Sequence, residues 1–209
     1  MKKTLSILAI LAILCASMFA LTGCGSDNKE KKANTTDISY INGKGKITIA
    51  VPKKEDGTPK YEFTTEKPEK SKFRGTFYLE TDNAVLVFST SGLVYNTAKD
   101  YKEKFGDVKA TFDGYLEWMD NPDSTIPKNN TEKLEINGRK AVKRPSREGS
   151  SGNYKYYGYS YMIAVDDVYP GSYLELKVGY KTDEEYTEAK PLNEETQSII
   201  DSLVISQNN

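Results

Sequence analysis

Any catalytic chemistry in this chain has to come from carboxylates, lysines or tyrosines. The 209 residues include no histidine and only two cysteines, Cys15 and Cys24. The missing histidines exclude Ser–His and Cys–His nucleophilic catalysis, histidine acid–base catalysis and the common structural zinc sites. We therefore expect neither a metal nor a cofactor.

The acidic residues leave one enzymatic alternative open. A small hydrolase needs only two opposed carboxylates, but no motif selects such a pair from the 30 acidic residues. The turns at Asp166-Asp167 and at residues 120–123 offer oxygen ligands for Ca²⁺. Neither has the spaced ligands and closing glutamate of a calcium loop, so we interpret both as ordinary turns.

The 15 tyrosines suggest an aromatic binding surface. A tyrosine ring offers glycans or peptides a flat apolar body with a hydroxyl group. Alternation along a strand at residues 153–165 places Tyr157, Tyr159 and Tyr161 on the core side, where tyrosine is a common strand residue. The candidates that remain for a ligand surface are Tyr154, Tyr156, Tyr169 and Tyr173.

A basic run at residues 139–147 contains three of the four arginines. Near an anionic membrane each such charge contributes about 1 kcal/mol. The candidate contacts to an anionic polymer or to lipid headgroups are Arg139, Lys140, Lys143, Arg144 and Arg147. The alternative is a solvated hairpin edge, which prevents unwanted strand pairing.

The N-terminus is typical of an exported protein. Lys2 and Lys3 precede a nearly continuous apolar stretch at residues 7–19, as in a secretory signal peptide. The stretch ends in Leu21-Thr22-Gly23-Cys24, which resembles the lipobox of bacterial lipoproteins. That resemblance implies cleavage before Cys24 and a diacylglyceryl group on its thiol, and two acyl chains anchor a protein stably. A membrane-spanning helix is the alternative, but the stretch has barely the length that spanning requires.

The sequence after the lipobox predicts a tether and one domain. Residues 25–37 contain no hydrophobic side chain larger than alanine, which is typical of a flexible segment. We expect a signal peptide at 1–23, a lipidated tether at 24–38 and a single domain at 39–206. Loss of Lys2 and Lys3 lowers the net charge from −1 to −3, and a weakly acidic chain lacks the basic surface that nucleic acid requires.

Period-two patterns predict a set of strands. At residues 73–81, Phe73, Phe77 and Leu79 share one face and Tyr78 lies on the other. The apolar run at 84–88 predicts a central strand that is covered on both faces. Asn137-Gly138 predicts a hairpin within residues 134–142. Further strands are expected at residues 46–51, 61–65, 153–165 and 173–180.

The strands at 153–165 and 173–180 are expected to pair. Tyr157, Tyr159 and Tyr161 would then share a face with the leucines of the second strand, and Tyr173, Glu175 and Lys177 would face solvent.

Three helices are expected, at residues 97–105, at residues 108–120 and after Asn193. In the last, Asn193 is the N-cap and Ile199, Ile200 and Leu203 form the apolar face. Strands interrupted by a helical block and followed by a terminal helix predict an α+β domain with a mainly antiparallel, twisted sheet.

Three short stretches resemble the Mog1/PsbP-like α-β-α sandwich family. They are Leu-Glu-Ile-Asn-Gly-Arg-Lys-Ala at 134–141, the strand at 157–165 and Ser-Ile-Ile-Asp-Ser-Leu at 198–203. The resemblance implies a non-enzymatic accessory or adaptor domain and no catalytic residue.

We expect a monomeric, lipid-anchored protein on the outer face of a bacterial, Gram-positive membrane. Its domain would be a non-catalytic binding or accessory module whose partner is a protein or a cell-wall glycan. The alternatives are a carbohydrate- or wall-binding module that uses exposed tyrosines, and a small carboxylate-dependent hydrolase.

Overall fold

The computed structural model describes residues 34–93, 111–122, 124, 130–150 and 152–208. The signal peptide, Cys24 and the helix expected at 97–105 lie outside these residues. The described strands are β1 (Thr35–Asn42), β2 (Gly45–Pro52), β3 (Phe63–Thr64), β4 (Phe77–Glu80), β5 (Ala84–Gly92), β6 (Glu132–Ile136), β7 (Arg139–Glu148), β8 (Lys155–Ala164), β9 (Ser172–Tyr180) and β10 (Val204–Gln207). The described helices are α1 (Phe112–Asp120) and α2 (Glu194–Asp201).

The strands form two antiparallel sheets. The larger sheet has the order β3-β4-β5-β9-β8-β7-β6, and the smaller has the order β1-β2-β10. Every strand pair is antiparallel. The predicted class, α+β with a mainly antiparallel sheet, is confirmed at this level.

The β6–β7 hairpin forms where Asn137-Gly138 predicted it. Both residues have positive φ angles, 47° for Asn137 and 78° for Gly138. A type I′ turn requires positive φ at both central positions, which Asn-Gly adopts at low cost.

The main core lies between one face of the large sheet, here called the inner face, and a layer made of the small sheet and α2. Phe77 stacks on Phe88 with ring centroids 4.8 Å apart, and Tyr40 of the small sheet stacks on Phe77 at 4.0 Å. The other fully buried side chains of this core include Ile47, Ile49, Leu79, Leu86, Tyr161, Ile163, Leu174, Leu176 and Ile199.

The C-terminal segment closes this core. The side chain of Asn193 caps α2 by accepting a hydrogen bond from the Thr196 amide at 2.9 Å, as predicted. The chain then continues into β10, which pairs with β2 and buries Ile205. The sequence patterns did not predict β10, since four residues with one buried side chain carry too little periodicity.

The opposite, outer face of the large sheet is covered in two places. At one end α1 packs Phe112, Tyr115, Trp118 and Met119 against the sheet residues Val142 and Met162, with Leu93 beside them. Thr111 caps α1 by accepting from the Gly114 amide. The described part of the helix predicted at 108–120 is thus confirmed.

At the other end of the outer face, Phe73 packs with Tyr78, Val85 and Val87. Phe73 was predicted to share a face with Phe77, but β4 begins only at Phe77, and Phe73 lies in the preceding loop on the other side of the sheet. Tyr78 was expected on a polar face and is 4% exposed. Its hydroxyl donates to the Gly75 carbonyl and accepts from the Gly75 amide, which offsets its desolvation.

The ordered domain also begins earlier than expected. β1 starts at Thr35, inside the segment interpreted as a tether, and Ile38 is buried in the core. β1 begins with three polar residues, so its composition did not predict a strand there. Antiparallel pairing with β2 stabilises the extended conformation of these residues.

Ile200→Asp should lower the free energy of unfolding by roughly 3–5 kcal/mol, because it places a carboxylate in the main core. Ile200 is 1% exposed. The matched control is Ser198→Asp, an exposed position on the same helix, which should change stability by less than about 1 kcal/mol. Urea denaturation measures both; equal midpoints would mean that α2 is not docked.

Candidate functional site

A groove opens on the outer face of the large sheet, between the α1 cluster and Phe73. We call it the outer groove. Its volume is about 380 Å³, within the range of about 300–1,000 Å³ typical of ligand sites. It is lined by Phe73, Asn130, Thr131, Arg144, Pro145, Ser146, Arg147, Glu148, Tyr157, Ser160, Glu175 and Lys177.

The groove lies over two rows of residues that strand register brings together on β7, β8 and β9. Strand register places Ser146, Gly158 and Gly179 side by side in one row across β7, β8 and β9. The next row is Arg144, Ser160 and Lys177. The row after that contains Val142 and Met162, which α1 covers.

A β-bulge turns Tyr157 into this groove. Ser146 pairs with Gly158 and Arg147 pairs with Tyr156, so Tyr157 is one extra residue on β8. We predicted that Tyr157 faces the core with Tyr159 and Tyr161; this is wrong, because the extra residue reverses the alternation. Tyr157 instead lines the groove, and its hydroxyl donates to Glu148 at 3.4 Å.

Gly158 makes the bulge possible. Its φ is +135°, and a Cβ at this position would lie 1.9 Å from the Val178 carbonyl oxygen. Only glycine permits both the backbone conformation and this close approach. On the neighbouring strand, Gly179 is covered by the ring of Phe73, 3.3 Å from where its Cβ would lie.

The acidic side chain on the groove floor is already paired. Glu175 and Lys177 form an ion pair at 3.1 Å, with side chains 13% and 31% exposed. Ser160 is 3% exposed, and its hydroxyl donates a hydrogen bond to Glu175 Oε1 at 3.4 Å. Glu175 and Lys177 were expected on a solvated face and now prove to form the floor of a groove.

Arg144 differs from these residues because no carboxylate of the described chain pairs with its guanidinium. The side chain is half-buried beside Ser160, and among the described residues no carboxylate lies within ion-pair distance of it. Its charge still reaches the α1 cluster: burial raises the pKa of Tyr115 and of Tyr173, and the Arg144 charge opposes both shifts.

Arg147 lies at the rim of the groove between two tyrosines. Its guanidinium stacks on the Tyr154 ring at 3.8 Å and donates to the Tyr156 hydroxyl at 3.5 Å. The structure therefore brings together two of the predicted tyrosines and two of the predicted arginines at one end of β7 and β8.

The other predicted basic residues do not join them. Arg139 donates to both oxygens of Asp167 at 2.7 Å and to the carbonyls of Ala164 and Ile205, which ties three segments together. Lys140 pairs with Asp113 at 2.7 Å. Lys143 lies over the Tyr159 ring at 4.6 Å on the inner face. Alternation along β7 places Lys143 on the face opposite Arg144, whereas Lys140 shares the face of Arg144 and is held by Asp113 of α1.

Tyr169 and Tyr173 also lie elsewhere. The Tyr169 hydroxyl donates to the Asn42 carbonyl, and its ring packs against the main core. Tyr173 packs against the α1 cluster, and burial raises its pKa. The four tyrosines proposed as one ligand surface therefore occupy three separate places.

The acidic turns serve structural roles. Asp166 accepts from the Phe112 amide at the start of α1, and Asp167 accepts from Arg139. Asp120 pairs with Lys133 at 2.7 Å. In the described part of the chain, no group of three or more acidic residues is arranged to hold a metal ion.

Sequence reasoning missed Phe73, Ser160 and the pair Gly158 and Gly179 as parts of the site. The local signals that pointed to the groove were the solvated face of β9 and the basic run that contains Arg144 and Arg147. The glycines could not be matched across strands, because their adjacency depends on a register that the bulge shifts.

Comparison of the chain with protein-family models, with curated proteins and with solved structures found no match. Of the helices that the structure describes, neither has the length and apolarity to cross a membrane.

Gly158→Ala should destabilise the domain by roughly 2–4 kcal/mol, because the new methyl group collides with the Val178 carbonyl and strains the backbone. Gly92→Ala is the control: Gly92 has an ordinary φ, and no heavy atom lies within 4 Å of the position that a Cβ would take there. Thermal unfolding followed by circular dichroism compares the two. A Gly158→Ala melting temperature equal to that of the control would rule out the bulge as described.

Proposed function

We propose that this chain is an exported, lipid-anchored protein whose domain is a non-catalytic binding module at the outer face of a bacterial membrane. The outer groove is its binding surface. The observation that carries this proposal is the half-buried Arg144 guanidinium, which has no counter-charge among the described residues. A partly desolvated charge without a partner costs free energy unless a ligand supplies the partner.

The lining of the groove supports binding rather than catalysis. Its two carboxylates contact neighbouring donors, Glu175 with Lys177 and Glu148 with Tyr157. A glycoside hydrolase needs one protonated and one ionised carboxyl group facing each other across the substrate. An ion-paired Glu175 favours neither a proton donor nor a free nucleophile, so the groove suits recognition better.

The anchor rests on the N-terminal sequence. The basic start, the apolar stretch and Leu21-Thr22-Gly23-Cys24 support export and acylation of Cys24. We further propose that the domain is related to the Mog1/PsbP-like α-β-α sandwiches. A large antiparallel sheet with helices on both faces, the β6–β7 hairpin and the closing helix α2 support that relation.

A photo-crosslinking amino acid in place of Tyr157 should capture the natural partner in intact cells, because this side chain lines the groove. The matched control carries the same amino acid in place of Ile41, which is 56% exposed on the small sheet. We expect an adduct at position 157 that is absent at position 41. Equal capture at both positions, or none at 157, would contradict the groove as the binding surface.

Cys24→Ala should abolish membrane retention, because the variant has no thiol to receive the acyl chains. Fractionation of cells into membrane and soluble material measures the change, with Cys15→Ala as the control. A variant that stays in the membrane fraction would refute lipid anchoring while leaving the groove proposal open.

A further inference from the structure

We infer that the ligand of the outer groove is an anionic saccharide, whose negative group binds Arg144 and whose sugar ring lies against Phe73 and Tyr157. This inference rests on the proposed function, since it names the ligand class of the same groove.

The anionic group follows from the charges in the floor row. Arg144, Ser160 and Lys177 lie side by side on β7, β8 and β9. Ser160 and Lys177 both contact Glu175, so Arg144 is the member of this row whose donors are left for a ligand. Lys177 is paired with Glu175, whereas no carboxylate of the described residues lies within ion-pair distance of Arg144. A guanidinium matches the planar fork of a carboxylate and the oxygens of a phosphate equally well. Either group, a carboxylate or a phosphate, would supply the negative partner of Arg144.

The saccharide follows from the combination of aromatic and polar walls. Phe73 and Tyr157 are half-buried rings at the glycine end of the groove, next to the hydroxyl and charged groups of the floor. A sugar ring has an apolar face that suits an aromatic ring, and its hydroxyl groups suit the polar floor. The described lining of the groove forms no deep apolar pocket of the kind that would hold an aliphatic side chain.

The position of the cations also sets the direction of the ligand. Beyond Phe73 and Tyr157 lies a second depression of about 230 Å³, whose lining includes four acidic residues and Lys72. Asp183 and Glu185 pair with Lys70 and Lys155, so the excess negative charge there comes from Glu148 and Glu184. An anionic group is repelled from that side and attracted to Arg144. The negative group of the ligand therefore belongs beside Arg144.

A peptide strand is the less favoured occupant. Among the described strands, β6 pairs with residues 139–143 of β7, and no described strand pairs with the later part of β7 on that edge. Addition of a strand there requires backbone donors and acceptors in alternation. Pro145 lies in this later part and has no amide hydrogen to donate.

Isothermal titration of the purified full-length protein in detergent tests the inference with four probes. They are a galacturonic acid hexasaccharide, a phosphorylated mannose oligosaccharide, a neutral galactose hexasaccharide and hexaglutamate. We expect at least one of the two anionic saccharides to bind about tenfold or more tightly than both the neutral saccharide and the peptide. Which of them binds identifies carboxylate or phosphate as the anion.

Arg144→Gln should weaken that binding about tenfold or more, and Arg144→Lys should restore part of it, since charge returns without the planar fork. The control is Lys46→Gln, which removes one exposed charge on the small sheet and should change affinity by less than about twofold. Unchanged melting temperatures establish that all variants fold.

Three results would overturn the inference. Equal binding of hexaglutamate would leave an anion site without saccharide selectivity. Wild-type affinity in Arg144→Gln would remove Arg144 from the site. Absence of binding for all four probes would reject the saccharide class, whereas the crosslink at position 157 separately decides whether the groove binds anything.

Discussion

The large sheet has to bury apolar side chains on both faces, and the rest of the structure depends on how unequally those faces are covered. In β5, Leu86 and Phe88 face the main core while Val85 and Val87 face outward, and all four are buried. The inner face is sealed by the small sheet and α2. In the described part of the chain, the outer face has only α1 at one end and the Phe73 cluster at the other. Between them the sheet carries polar side chains, because water reaches it there.

The outer groove is therefore a gap between two apolar clusters, and its chemistry follows from its position. The floor residue Ser160 is buried but keeps a polar partner in Glu175. The aromatic wall on one side is Phe73, which fills the space above Gly179. A side chain at Gly179 would meet this ring, since a Cβ there would lie 3.3 Å from it, so the glycine determines the position of this wall.

Sequence patterns correctly predicted the elements whose structure depends on residues close to them in the chain. This holds for three features that residues within the element itself determine: the Asn137-Gly138 turn, the Asn193 cap and the apolar run of β5. The placement of Tyr157 and Tyr78 could not be predicted in the same way. Tyr157 leaves the core side because one inserted residue shifts the alternation, and Tyr78 becomes buried because Gly75, in a preceding loop, satisfies its hydroxyl.

The basic run shows the same limit for the site. In sequence, Arg139 and Arg144 look alike, yet Arg139 is occupied by Asp167 and two backbone carbonyls while Arg144 has no carboxylate partner in the described chain. Composition predicts that charge is present at residues 139–147. Only the contacts decide which charge stabilises the fold and which is left for a ligand.

The pairing of β2 with both β1 and β10 has a consequence for the order of folding. The amide of Ala50 donates to the Ser202 hydroxyl across a sequence separation of 152 residues. Closing so long a loop is entropically costly, and contacts of this kind form late. Until the C-terminal strand arrives, Ile47 and Ile49 lack their cover from α2 and Ile205. The core beneath the small sheet therefore remains incompletely packed in a nascent chain until α2 and β10 have been synthesised.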